Sequence, residues 1–71
     1  MENDYCIDIG IAAGAVYREL ENGDRNLTQL RKHIIDNGYD TNSFLMALGW
    51  LAREDKVCIM KQNNKWSICL K

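Results

Sequence analysis

The stretch "GWLAREDKV", residues 49–57, decides how this chain is read. Its first part continues an apolar segment with helical spacing. Arg53, Glu54, Asp55 and Lys56 then form a charged corner, and alternating strand-type residues begin at Val57. A helix that runs through such a corner into a strand predicts a hairpin folded against the helix end. The two sides of that corner organise the rest of the chain.

Downstream, "VCIMKQ" (57–62) and "KWSICL" (65–70) flank Asn63-Asn64. Asn tolerates the positive φ that a two-residue hairpin turn requires. That turn sets the register. Val57 pairs with Leu70, Ile59 with Ile68 and Lys61 with Trp66 on a core-facing side; Cys58 pairs with Cys69 and Met60 with Ser67 on the other. The second side is also mostly apolar, which is unusual for a hairpin facing only water.

Upstream, Asp40 or Thr41 is expected to cap a helix that ends near Glu54, with Phe44, Leu45, Leu48, Leu51 and Ala52 inward. Asn42, Met46, Gly49, Trp50 and Arg53 fall on its outer arc. "GDRNLTQLRKHIIDNGYD" (23–40) reads as a turn, a short extended piece at Asn26 and Leu27, and a helix capped by Thr28 that stops at Asn37-Gly38. Leu30, Ile34 and Leu27 are expected to point inward. The first helix spans roughly 4–21, capped by Asn3 or Asp4 and ended by Asn22-Gly23. Ile9, Ala12, Ala13, Val16, Tyr17 and Leu20 gather on its core face. A second apolar stripe, Ile7, Ile11 and Ala15, lies opposite, with Gly10 and Gly14 between the two.

The predicted order is helix, short strand, helix, helix, strand, strand. Two helices joined by a short Gly-containing turn make a helix-turn-helix, and the hairpin after it makes a wing. The fold class is α+β: a winged helix-turn-helix of three helices, a short strand and a C-terminal β-hairpin wing. With 71 residues it reads as a single winged-helix domain over 1–71,. Such a chain buries only about 60% of its unfolded surface, so the core is marginal.

Three motifs carry a family resemblance over nearly the whole chain: "GIAAGAVYREL" (10–20), "NLTQLRK" (26–32) and "LGWLAREDKV" (48–57). The chain resembles a small family of prokaryotic winged-helix proteins of uncharacterised function. The last motif is the most specific. The first departs from the pattern, since Tyr17 stands where tryptophan is expected. The resemblance implies the fold and dimers; it implies no activity.

In a helix-turn-helix the second helix enters the major groove with its N-terminal residues on base edges. Those residues here are Thr41, Asn42, Ser43 and Met46; Asn can bond adenine bidentately and Ser either partner of a pair. The cations available for phosphate are Arg31, Lys32, Arg53, Lys56 and Lys65, with Lys61 beside them on the wing. Double-stranded DNA is therefore one expected partner. Against it stand the formal charge of −1, the lack of any Lys or Arg between Lys32 and Arg53, and Asp36 and Asp40 near the helix entrance. Phosphate neutralisation supplies essentially all non-specific affinity, so weak cationic character counts against a DNA reader. The alternative is a protein-interaction or assembly module on the same scaffold.

The second stripe on the first helix predicts association, because contiguous exposed apolar patches mark contact sites. Ile7, Gly10, Ile11, Gly14 and Ala15, together with the Cys58, Met60 and Cys69 face of the hairpin, are expected to form a homodimer interface. Trp50 is either an anchor for a partner or packing beneath the hairpin; packing is expected, because buried aromatics carry most small cores.

Cys6, Cys58 and Cys69 lack paired zinc spacing, so no metal site is expected. They read as reduced thiols in a cytoplasmic protein. His33, between Arg31, Lys32 and the apolar Ile34, reads as a solvent-facing helix residue. "MENDYC" is acidic and has no basic region before an apolar run, so no signal peptide is expected. No stretch approaches the ~20 apolar residues that span a membrane. No nucleophile has a partnered base and no Gly-rich phosphate loop follows a strand. Neither an enzyme nor a cofactor or small-molecule ligand is expected.

Overall fold

The structure is a computed structural model that describes residues 5–71. It contains α1 (Cys6–Leu20), β1 (Arg25–Asn26), α2 (Leu27–Asp36), α3 (Thr41–Arg53), β2 (Val57–Gln62) and β3 (Lys65–Leu70). The strands form one antiparallel sheet in the order β1-β3-β2. The α+β winged helix expected from the sequence is what forms.

The hairpin follows its predicted register, from Val57 opposite Leu70 to Gln62 opposite Lys65. Asn63 and Asn64 take φ of 54° and 65°, the left-handed pair that a type I′ turn needs,. The short strand β1 pairs with β3, Arg25 opposite Ile68 and Asn26 opposite Ser67. The hairpin is thereby tied at its base to the helix-turn-helix.

At the charged corner, Asp55 sits at φ 62°. Its amide N–H donates to the Ala52 carbonyl at 3.1 Å, and the Lys56 N–H reaches back to the Leu51 carbonyl at 3.0 Å. This is a Schellman cap with aspartate in the position glycine usually fills. The same pair of bonds closes α2, with Gly38 at φ 101° and Tyr39 donating to Ile34.

The core gathers Ala12, Ala13, Val16 and Leu20 of α1, Leu30 and Ile34 of α2, Phe44, Ala47, Leu48 and Leu51 of α3, and Val57 and Ile68 of the sheet. On α3 the buried positions follow i, i+3, i+4, i+7 from Phe44,. That arc includes Ala47, which is not among the residues expected inward. It leaves out Leu45, expected inside but 47% exposed, because at about 100° per residue Leu45 falls beside the arc,. Tyr17 likewise lies at the rim of the α1 core face, 37% exposed.

The start of α2 also differs from expectation. The extended piece is Arg25–Asn26, and Leu27 is already helical. The N-cap is Asn26, not Thr28: its Oδ1 accepts the Gln29 N–H at 2.8 Å. The last residue of β1 has the extended φ/ψ a cap requires, so strand end and helix cap coincide. Asp40 caps α3 through the Ser43 N–H at 2.6 Å. Tyr5 occupies the N-cap position of α1 without a side-chain cap. The expected caps Asn3 and Asp4 lie outside the described residues.

Candidate nucleic-acid interface

The outer arc of α3 is the surface a helix-turn-helix offers to a partner. Asn42, Met46, Gly49, Trp50 and Arg53 are all exposed there. Thr41 is exposed in the first turn; Ser43 is half-buried, its amide held by Asp40. The packing expected for Trp50 does not occur. Trp50 is 47% exposed, because the core arc of α3 passes through Leu51 and Ala47 and leaves it facing outward.

Trp50 and Met46 form one wall of a groove of 430 Å³ whose other wall is Cys6, Ile9 and Gly10 of α1. A neighbouring groove of 290 Å³ brings Lys56 beside Trp50, Tyr17 and Arg18. The arc is thus apolar along most of its length, with cations at its C-terminal end. Leu45 extends this apolar character on the other side.

The predicted cations are dispersed. Arg53 ends α3 and Lys56 starts the run into β2. Lys65 and Lys61 stand at the wing tip, where Lys61 Nζ lies 5.2 Å from the centre of the Trp66 ring, within cation–π range,. Arg31 and Lys32 are exposed on α2, and Lys32 Nζ is 3.4 Å from Asp36 Oδ2 one turn on. Among the described residues Arg31, Arg53, Lys56 and Lys65 enter no ion pair.

The second set of predicted residues splits into two. Ile7, Gly10 and Ile11 are exposed on the outer face of α1, with Gly14 and Ala15 half-buried beside them. Met60 is 53% exposed on the reverse of the sheet, with Cys58 and Cys69 half-buried. Each patch lies on the reverse of the face its own element gives to the core. The Cys69 thiol donates to the Cys58 carbonyl at 3.8 Å. Partial burial, then its neighbours, chiefly Cys58, push that thiol above the ordinary 9.0.

One polar cluster has no local sequence signal. Glu19 accepts from Arg25 Nε at 3.1 Å and stands 3.2 Å from His33 Nε2. It ties the end of α1 to β1 and α2, so His33 is exposed but not idle. Among the described residues no group of three or more His, Cys, Asp or Glu is arranged to hold a metal ion. No described helix is long and apolar enough to cross a membrane.

A helix-turn-helix with its second helix exposed and a β-hairpin directly after it defines the winged-helix class. Within that class, this chain belongs to the family described as Winged helix-turn-helix domain (DUF2582), whose model matches residues 1–70. It is similar to an uncharacterized protein of Methanocaldococcus jannaschii, 48% identical over 63 residues, covering 89% of this chain and 90% of the relative. No solved structure matches the chain.

Proposed function

We propose that this protein is a non-catalytic DNA-binding module that acts as a homodimer. The observation that carries this reading is the exposed α3 of the winged helix-turn-helix, with Asn42 and Met46 on its outer arc and Arg53 and Lys56, which enter no ion pair among the described residues, at its end. Thr41, Asn42, Ser43 and Met46 meet base edges. Arg53, Lys56 and the wing residue Lys65 meet phosphates, with Arg31 and Lys32 of α2 steadying the complex. A dimer doubles a patch that is modest in one copy, and phosphate contacts dominate affinity.

The test is an amide-shift NMR titration with a mixed-sequence duplex at low and then physiological salt. Shifts on α3 and the wing that fade as salt rises support the reading. Unchanged affinity after replacing both Arg53 and Lys56 with Ala overturns the assignment of those residues.

One observation favours a second reading, a protein-docking module. Leu45, Met46 and Trp50 are 47%, 57% and 47% exposed along the same helix, an apolar surface of the kind that marks protein contacts,. Binding through it would persist as salt rises, because apolar contacts release no counterions.

A further inference from the structure

The outer face of α1 carries a pattern that the core does not explain. Ile7, Ile11, Gly14 and Arg18 are spaced by four, three and four residues, the a/d spacing of a helix–helix seam,. Ile7 is 76% exposed and Ile11 52%. Asp8 flanks the seam at its N-terminal end. Among the described residues neither Asp8 nor Arg18 is in an ion pair.

The pattern is polar along the helix. Ile7, Ile11 and the acid Asp8 are in the first half; Gly14, Ala15 and the base Arg18 are in the second. A parallel copy would set like against like: Ile against Ile, Gly against Gly, Asp8 against Asp8. An antiparallel copy sets unlike against unlike. We infer that the occupant of this face is a second copy of the chain, its α1 antiparallel, with Ile11 seated over Gly14 of the partner subunit. In that register Ile7 meets the alkyl stem of Arg18 of the partner subunit, and Asp8 lies within reach of its guanidinium. The two-fold axis repeats each contact, as an isologous interface requires. This rests on the homodimer part of the proposed function and supplies its geometry.

One feature of α1 fits the role. A Cβ added at Gly14 would stand 3.3 Å from Arg18 Nη1. The Arg18 head therefore lies over the glycine in the single chain. Swinging it to Asp8 of the partner subunit uncovers the glycine for Ile11. Charge complementarity and knob placement are then satisfied by one movement of a flexible side chain.

The experiment is sedimentation equilibrium on the full chain and four variants, with amide spectra confirming that each folds. The wild type is expected to be a dimer at micromolar concentration, and Ile11→Asp a folded monomer. Asp8→Arg alone and Arg18→Asp alone should each raise the dimer dissociation constant by roughly tenfold, since each turns two attractions into repulsions. The double reversal, Asp8→Arg with Arg18→Asp, should restore it. A wild type that stays monomeric at high micromolar concentration overturns both this seam and the homodimer reading. A dimer indifferent to Ile11→Asp overturns the seam alone, and so does a double reversal that fails to rescue. DNA titration of the same variants reports on the DNA reading separately.

Discussion

The Asn26 side-chain oxygen accepts the Gln29 amide N–H at 2.8 Å, while the Asn26 backbone still pairs with Ser67 of β3. One residue therefore ends a strand and starts a helix. Asn26→Ala should lower stability by about 1 kcal/mol, the usual cost of losing an N-cap. Thr28→Ala, inside the helix, should cost less. Urea unfolding of both variants checks this; a larger loss at Thr28 would return the cap to that residue.

The corner after α3 stores a removable strain. Asp55 holds φ 62°, a region that costs a side-chain-bearing residue about 1 kcal/mol relative to glycine,. Asp55→Gly gives up an exposed ion pair with Lys71, worth little in water,. The balance predicts a raised unfolding midpoint in thermal denaturation. A lowered midpoint would mean that the Asp55–Lys71 contact outweighs the backbone term.

Burial separates two aliphatic residues that look alike in the sequence. Ile34 is 1% exposed and Leu45 47%. Ile34→Val should destabilise by about 0.5–1.5 kcal/mol despite removing a single methylene. Leu45→Ala, a larger truncation, should stay within about 0.5 kcal/mol. Denaturant melts order the two, and the reverse order would place Leu45 in the core.

If DNA is the ligand, its salt dependence reports on individual cations. Arg53→Ala should weaken binding to all duplexes alike and reduce the slope of log affinity against log salt by about 1. Asn42→Ala should leave the slope unchanged and relax sequence preference. Fluorescence anisotropy across a salt series measures both. An Arg53 variant with an unaltered slope would remove that residue from the phosphate contacts.

The thiols should differ in reactivity. Cys6 is exposed, whereas Cys69 is half-buried with its thiol raised above the ordinary 9.0 by that burial, which lowers its thiolate fraction near neutral pH,. Limited alkylation followed by peptide mass analysis should find Cys6 modified before Cys69. Earlier modification of Cys69 would contradict the packing of the hairpin base.

The sequence by itself determined the elements and their order. Helical periodicity marked the buried faces of α1 and α2. Asn63-Asn64 set the hairpin register, because a two-residue turn leaves no freedom in how the flanking strands pair. The "REDK" corner marked where α3 yields to β2. These are local signals, carried by residues close together in the chain. Tertiary structure decided whatever depends on neighbours distant in sequence. It fixed β1 against β3, which made Asn26 rather than Thr28 the cap. It joined Glu19 to Arg25 and His33 across three elements, a meeting no spacing announces. It turned Trp50 outward and left Leu45 beside the core arc, because which part of an apolar helix is buried is chosen by the elements packed against it and not by the helix itself.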